Sequence, residues 1–288
     1  MYRRRSRPAS NLIDFRWRFP SAGYRWISGE PDQLLSTDAS GKGRFLVPAI
    51  ASHEPQRVIG YSPLVAKTGL FKRFAETSQS EKEILKFANR YGCLGGTLST
   101  AVRVDGESAL SLHAESLKGW REAIEAMSEM LLIWESATKQ NLTRLSSRIY
   151  WHGAAVSYKK AGAYELIASE KTSPEVLERF STGDIVQPAL YLLQRRVNAQ
   201  LAQHGVSPRL LWDSGEGKLV MRLGANSLIG ALWLQFARAI EGNKDYKQCQ
   251  NCRDWMEVGG NRTARSDKKF CTPSCRTAAH RRKDAEEK

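Results

Sequence analysis

The sequence lacks any apolar run approaching the roughly 18 to 20 uninterrupted residues that a membrane-spanning helix requires. Its start, MYRRRSRPASNLIDFRWRF, is basic and lacks the apolar core of a secretory signal. We therefore expect a cytoplasmic protein with no membrane partner. Because a reducing cytosol disfavours disulfides, the five cysteines are expected to be free, catalytic or bound to a metal.

The short motifs that mark common enzyme sites are also missing. The sequence contains no Walker-type phosphate loop, GxSxG elbow, HExxH motif or paired GxGxxG. Its five histidines share no ligand-like spacing. Cys93, in RYGCLGG, is more typical of a small apolar residue near a helix end than of a nucleophile. We predict that the protein is not an enzyme. The alternative, an enzyme in the helical region, would need a pocket with perturbed carboxylates.

Acidic residues are scarce at the two ends of the chain, although the net charge of the whole is +14. Residues 1–25 contain seven arginines and one acidic residue, Asp14. Residues 262–283 contain eight basic residues and only Asp267 as an acid, whereas the middle of the chain is nearly neutral. This distribution predicts a polyanionic partner such as nucleic acid at one or both ends. For residues 1–25 we predict a basic N-terminal arm, and a flexible solvated arm without a partner is the alternative.

Local patterns predict a mixed but helix-rich chain. Residues 16–64 are typical of short strands and turns, because their aromatic and branched runs are broken by Pro and Gly. A helix is predicted from the capping pair Ser80 and Glu83 to Gly92. Three longer helices are predicted from their apolar spacing, over residues 115–139, 184–205 and 226–242. A β-hairpin is predicted near residues 208–223.

The predicted fold class is therefore α+β, predominantly helical, with short N-terminal strands, this hairpin and a C-terminal zinc finger. We predict a mostly helical regulatory or core region over residues 26–244, with a sub-boundary near 110 or 180. The finger is predicted over residues 245–288.

Four of the five cysteines form two close pairs near the C-terminus. Cys249 and Cys252 are followed, after 18 intervening residues, by Cys271 and Cys275. The first spacing allows one tight turn to supply two thiolates, and the second allows a loop and the first turn of a helix to supply the others. Four sulfurs at about 2.3 Å in a tetrahedron form a closed structural zinc site. We predict such a Zn²⁺ site in a treble-clef arrangement, with a turn pair, a hairpin and then a helix pair.

Two other uses of these cysteines stay open. A redox CxxC would leave the second pair unexplained. A site built from three cysteines and His280 would leave one thiol spare. A closed four-thiolate site has no position for substrate, so the metal is expected to fold the segment rather than to catalyse.

The predicted finger is strongly basic, and its helix is expected to begin with Thr272 as the cap and Pro273 in the first position. Arg and Lys on a rigid helix are suited to phosphate contacts, and Arg also binds guanine edges. The predicted nucleic-acid-binding residues are Arg262, Arg265, Lys268, Lys269, Arg276, Arg281, Arg282 and Lys283. The alternatives are a solvated basic helix that docks on its own domain or on an acidic partner, and a protein–protein interaction module in which the finger binds a partner or stabilises a homodimer.

Four consecutive segments resemble, in their order, the bacterial CGNR-type zinc-finger proteins. They are YLLQRRVNAQLAQHG, PRLLWDSGEGKLVMRL, NSLIGALWLQFARAIEG and the basic Cys-pair segment. In that family an ABATE-like helical domain precedes the finger, and the resemblance covers roughly residues 185–283. It implies zinc at the four cysteines and a role as a DNA-binding transcriptional regulator. The sequence departs from the family at Cys275-Arg276-Thr277-Ala278, where Cys-Gly-Asn-Arg is expected, and in a shorter gap between the last two cysteines.

Three segments also resemble parts of uncharacterised bacterial proteins: KFCTPSCRTAAHRRK, ILKFANRYGCLGG and ESLKGWREAIEAM. We therefore expect a bacterial DNA-binding regulator. Its helical region would sense a small-molecule or protein ligand or mediate assembly, with a homodimer among the expected partners.

Overall fold

A computed structural model of the protein describes residues 15–32, 41–49, 57–104, 110–139, 141–215, 217–259 and 267–286. The chain divides into two compact units. Unit 1 comprises the described residues of Met1–Ile124 and Leu201–Lys288, and unit 2 comprises those of Glu125–Gln200. The boundaries predicted for the arm, the helical region and the finger stay predictions. Residues 15–25 of the predicted arm lie in or beside strands, and residues 1–14 lie outside the described part.

Thirteen strands are present in the described residues: β1 Trp17–Pro20, β2 Tyr24–Pro31, β3 Gly43–Pro48, β4 Val58–Tyr61, β5 Ser99–Val104, β6 Leu110–Ser116, β7 Ile149–Trp151, β8 Ala155–Lys160, β9 Ala163–Ser169, β10 Ser207–Asp213, β11 Lys218–Gly224, β12 Asp245–Gln248 and β13 Trp255–Val258.

Nine α-helices are present in the same residues: α1 Pro63–Ala66, α2 Leu70–Ala75, α3 Glu81–Tyr91, α4 Leu117–Thr138, α5 Leu142–Ser146, α6 Pro174–Leu177, α7 Val186–Gln203, α8 Leu228–Glu241 and α9 Pro273–Glu286. A single 3₁₀ turn, Gly96–Leu98, precedes β5.

The prediction of a predominantly helical protein is wrong. Helix accounts for 41% of the structure and strand for 29%, and the strands include a small closed barrel. The additional strands are β5 and β6 in unit 1 and β7 to β9 in unit 2. The turn between β8 and β9 shows why the sequence signal was weak. Ala161 and Gly162 both have positive φ, at 47° and 85°, as a two-residue hairpin turn requires, but alanine is not a residue that marks such turns.

In unit 1, β2, β3, β6 and β5 pair antiparallel in this order and close into the barrel. Its interior is apolar and is formed by Ile27, Phe45, Val47, Val102 and Ala114. The N-terminal strands predicted from the sequence are therefore present, and two of them need β5 and β6 to complete their sheet. Strand β1 pairs separately with β4.

Helix α3 begins and ends as predicted. The Ser80 side chain accepts a hydrogen bond from the Glu83 N–H at 3.4 Å, and Gly92 follows the last turn with φ at +94°. A Cβ atom at Gly92 would lie 2.4 Å from Nε1 of Trp17, so glycine is required there for both its backbone angle and its small size.

Helix α8 forms the centre of unit 1, with Leu228, Trp233 and Phe236 fully buried. The buried Gln235 side chain links it to the segment of α1 and α2. Its amide donates to the carbonyls of Pro63 at 2.8 Å and Lys67 at 3.1 Å, and its oxygen accepts from the Phe71 N–H at 3.2 Å. Because each polar atom is satisfied, this amide fixes α1 and α2 on the helix.

Unit 2 contains the antiparallel sheet β7–β8–β9, helices α5 and α6, and the larger parts of α4 and α7. The hydroxyl of the buried Tyr158 donates to Glu129 at 2.8 Å, and the Lys160 ammonium lies 2.9 Å from the same carboxylate. A nearly buried carboxylate is thereby paired as well as hydrogen-bonded.

The predicted hairpin corresponds to β10 and β11 in unit 1. The two strands pair antiparallel from Ser207 opposite Gly224 to Asp213 opposite Lys218. Among the described residues, no helix combines the length and apolar character that crossing a membrane would require.

Candidate metal centre

The structure brings the two predicted cysteine pairs together in unit 1. Cys249 follows β12 directly, and Cys252 lies in the turn that leads to β13. Cys271 precedes α9, and Cys275 lies in the first turn of that helix. All four Sγ atoms lie within 4.8 Å of one another. This cluster can hold a metal ion.

The sulfur separations match a four-thiolate site. The Cys252 and Cys271 sulfurs are 3.5 Å apart, and those of Cys271 and Cys275 are 3.4 Å apart. A tetrahedron with metal–sulfur bonds of about 2.3 Å has edges of about 3.8 Å, whereas a disulfide requires about 2.05 Å. The cysteines are free, so the geometry fits metal binding and not cystine formation.

Backbone hydrogen bonds shape the turn around the first pair. The Cys249 N–H donates to the Asp254 carbonyl at 2.9 Å, and the Arg253 N–H donates to the Cys249 carbonyl at 2.9 Å. Arg253 closes the turn in the left-handed region, with φ at 60°. This conformation is unfavourable for a residue with a Cβ atom.

The second pair is positioned by the start of α9. The Thr272 hydroxyl accepts from the Cys275 N–H at 3.2 Å, and Pro273 is the first helical residue, as the sequence predicts. The Cys271 N–H points at the Cys249 sulfur, 3.4 Å away. This contact between the pairs is a weak N–H···S hydrogen bond of the kind that stabilises a thiolate.

The thiol pKa values diverge within the cluster. Burial opposes ionisation of Cys249, but the backbone N–H groups of Cys252, Cys271 and Asn251 lower its pKa to about 6. The Asn251 side chain and the Thr272 hydroxyl lower the pKa of Cys275. Burial raises the pKa values of Cys252 and Cys271. Four adjacent thiolates repel one another, and a divalent cation would remove this repulsion and ionise all four.

The first cysteine pair lies in the turn of the β12–β13 hairpin, where Lys247 pairs with Met256 and Gln248 with Trp255. The hairpin that we predicted between the two cysteine pairs would include residues 260–266, which lie outside the described part of the chain, so that part of the prediction stays a prediction. His280 is exposed on α9 and is not in the cluster formed by the described residues.

The cysteine cluster is attached to unit 1 through the buried Asp254 carboxylate. This carboxylate accepts from the Lys67 ammonium at 2.8 Å, from the Arg90 guanidinium at 2.9 Å and from the Tyr91 hydroxyl at 2.9 Å. Burial opposes its ionisation, but Lys67, Tyr91 and Arg90 together lower the pKa of Asp254. Asp254 thus links the turn after Cys252 to α3 and to the residue that follows α1.

The neighbouring Trp255 adds further contacts to the same attachment. Its indole N–H donates to the Glu76 carboxylate at 2.7 Å, and the Lys72 ammonium lies 4.6 Å from the ring centre. A Cβ atom at Gly69 would lie 2.6 Å from Cβ of Trp255, so the chain between α1 and α2 passes very close to β13. The hairpin that supplies the first two cysteines therefore packs firmly on unit 1.

The predicted basic residues lie in several settings. Arg276, Arg281 and Arg282 are exposed on α9, and Lys283 belongs to the same helix. Lys269 is exposed and Lys268 half-buried in the segment before Cys271. Arg262 and Arg265 lie outside the described residues.

One face of α9 lines a shallow groove beside the metal centre. The groove is lined by Asn251, Ser274, Thr277, Ala278, Arg281 and Arg282. The helical members recur at spacings of three and four and therefore share one face. Arg281 and Arg282, at one end of this face, are exposed.

Sequence reasoning missed Asn251 and Asp254. Both lie in the stretch CQNCRDW, where Asn251 directly precedes Cys252 and Asp254 is two residues after it. A polar residue inside a CxxC turn could have been predicted as a hydrogen-bond partner of the thiols, because its side chain lies near the sulfurs. The role of Asp254 depends on partners far away in the sequence and has no comparable signal.

Cys93, the fifth cysteine, lies away from the cluster. Its thiol is 3.4 Å from the Tyr24 hydroxyl, and burial raises its pKa. The adjacent Leu94 N–H donates to the buried Glu115 carboxylate at 3.0 Å. Burial raises the pKa of Glu115 as well. A thiol held neutral in this way is a poor nucleophile.

Comparison with family models, with curated proteins and with solved structures gave no match for this chain.

Proposed function

We propose that the protein is a zinc-finger protein that binds nucleic acid, and that it acts as a DNA-binding transcriptional regulator. The observation on which this proposal rests is the exposed α9 face beside the cysteine cluster. Arg281 and Arg282 lie on this face and are exposed.

Zinc is the metal we propose for the cluster. Four sulfur ligands with tetrahedral spacing favour a soft or borderline ion, and Zn²⁺ binds such sets as a structural ion with no open position. The residues that would hold it are Cys249, Cys252, Cys271 and Cys275. Bound zinc would join the β12–β13 turn to α9 and so fix the direction of the helix.

The chemistry of the α9 face suits a phosphate backbone. From Lys268 to Lys283 the sequence contains no acidic residue. Ser274, Thr277 and Ala278 have small side chains, which allows a nucleic-acid backbone to approach the helix closely. Arg281 and Arg282 provide forked donors for phosphate oxygens. Arginine can also bind guanine edges if the helix enters a major groove. The resemblance of residues 185–283 to CGNR-type proteins favours DNA over RNA.

The main alternative is that the basic helix docks on its own protein. The attachment to unit 1 uses Asp254 and Trp255 of the hairpin and leaves the three α9 arginines exposed. This arrangement favours an external partner for α9. Under this proposal, six basic side chains of the finger would neutralise phosphates: Arg276, Arg281, Arg282, Lys268, Lys269 and Lys283.

The test is fluorescence anisotropy of a labelled random-sequence DNA duplex with the zinc-loaded full chain, at increasing KCl. Because each neutralised phosphate contributes about −0.9 to the slope of log K against log salt, the double variant Arg281→Glu/Arg282→Glu should bind far more weakly and with a shallower slope. The variant Lys139→Glu/Arg144→Glu changes the net charge equally at two exposed positions outside the finger and should bind nearly as wild type. No binding by wild type at the lowest salt, or equal loss in both variants, would contradict the proposal.

A further inference from the structure

The β10–β11 hairpin has one face that is apolar and exposed. Its register places three cross-strand pairs on that face, Pro208 opposite Leu223, Leu210 opposite Met221 and Trp212 opposite Leu219. Leu210, Trp212, Leu219 and Met221 are 63% to 66% exposed, and Leu223 is 38% exposed. The opposite face is polar in part, with Arg222 paired to Asp213 at 2.9 Å. We call the six residues of the three pairs the apolar hairpin face.

The size of the apolar hairpin face is that of an interface. Its exposed fractions correspond to on the order of 600 Å² of side-chain surface, the upper end for the largest apolar patch of a monomer. Two copies packed face to face would bury about 1,200 Å², which reaches the range of specific protein–protein interfaces. In addition, a two-stranded hairpin with an uncovered apolar face is marginally stable in water.

We propose that a second copy of this chain covers the apolar hairpin face, in a two-fold symmetric dimer. The face contains no charged residue, so two copies can meet there without charge repulsion in spite of a net charge of +14.

The arrangement of sizes along the hairpin is self-complementary. Trp212 and Leu219 lie at the turn end, and the smaller Pro208 lies at the base with Leu223. When two hairpins pack face to face in opposite directions, the turn end of one meets the base of the other, so the large indole faces the small proline. The central pair, Leu210 and Met221, then lies nearest the two-fold axis, which is the geometry of an isologous contact.

The test is sedimentation velocity of the zinc-loaded full chain from about 1 µM to about 100 µM, a range in which a standard-sized interface should associate. Wild type should form dimers. Leu210→Glu and Leu210→Lys should each be monomeric, because like charges would meet near the axis. An equimolar mixture of the two should recover dimers. Val65→Lys, at a residue of α1 that is 68% exposed, should dimerise as wild type does.

A second measurement avoids substitution altogether. Peroxide oxidation of Met221, mapped by mass spectrometry, should slow several-fold when wild type is concentrated, because the thioether becomes covered. The buried Met256, 3% exposed, should show no such change. A wild-type monomer over the whole range, a Leu210→Glu variant that still dimerises, or concentration-independent oxidation of Met221 would each overturn the proposal. The outcome does not depend on DNA binding, so the two proposals fail separately.

Discussion

The Asp254 carboxylate and the Lys67 ammonium lie 2.8 Å apart although 187 residues separate them in the chain. Arg90 and Tyr91 bind the same carboxylate, so one buried side chain next to the CxxC turn gathers partners from around α1 and α3. The metal centre is thereby an integral part of unit 1. A substitution at Asp254 should therefore lower the stability of unit 1 as a whole and not only that of the finger.

Asp254→Asn should lower the free energy of unfolding by about 2 kcal/mol, because charge-assisted hydrogen bonds to three donors are weakened while Lys67 and Arg90 retain access to water. Urea unfolding of the zinc-loaded chain measures this change. Glu83→Gln, which removes an exposed pair with Lys86 at 3.5 Å, should cost less than about 0.5 kcal/mol. Equal effects of the two substitutions would show that Asp254 does not anchor the turn.

Cys252→Ser should abolish stoichiometric zinc binding, since the proposed site would lose one of four thiolates. Metal analysis of the purified chain should give one zinc per wild-type molecule and clearly less for the variant. Cys93→Ser is the matched control, because Cys93 lies outside the cluster, and it should retain one zinc. Undiminished zinc in Cys252→Ser would refute the assigned ligand set.

Arg253→Gly should stabilise the turn between the strands of the finger. The left-handed φ of 60° at Arg253 costs about 1 to 2 kcal/mol for a residue with Cβ, and the added flexibility of glycine in the unfolded chain offsets about half of this. A rise of a few degrees in the melting temperature of the zinc form is expected. Arg276→Gly, inside α9, should lower stability by about 1 kcal/mol. A lower melting temperature for Arg253→Gly would argue against strain at this position.

His204 should make the stability of unit 1 sensitive to acid. Burial lowers its pKa from the usual 6.5 to about 4, and its Nδ1 lies 3.1 Å from the Thr97 hydroxyl. Because the unfolded chain takes up a proton more readily than the folded one between these values, stability falls as the pH drops from about 6.5 to about 4, by up to about 3 kcal/mol.

His204→Gln keeps a polar partner for Thr97 but does not titrate. Urea unfolding of wild type and variant should therefore give a stability difference that shrinks as the pH falls through this window, and the subtraction removes contributions common to both chains, such as protonation of the cysteines. Parallel pH profiles would refute the assignment to His204.

The features that sequence reasoning predicted are those with local causes. Helix α3 is bounded by Ser80 and Gly92, which act within one turn of the helix ends, and the helical start at Thr272 and Pro273 depends on neighbours three residues away. The cysteine cluster was predictable because the spacing of Cys249 and Cys252 is itself a ligand pattern. In each case the residues that decide the structure lie close together in the chain.

The features that were missed depend on distant partners. In the barrel, Gly29 pairs with Val104, and no local pattern records that these strands will meet. Likewise, Asp254 has the appearance of an ordinary surface acid until Arg90 and Tyr91, more than 160 residues earlier, are placed against it. Strand pairing and buried ion pairs of this kind are decided by tertiary packing.

The two ranges of unit 1 have a consequence for synthesis of the protein. Residues up to Ile124 leave the ribosome early, but Gln235, Asp254 and Trp255, which complete their packing, emerge only after all of unit 2. Until then, nascent chains expose Phe71, Tyr91 and their neighbours to chaperones and proteases. A chain that ends before the first cysteine pair would keep α8 and Gln235 but would lack Asp254 and Trp255, and with them the contacts to Lys67 and Glu76.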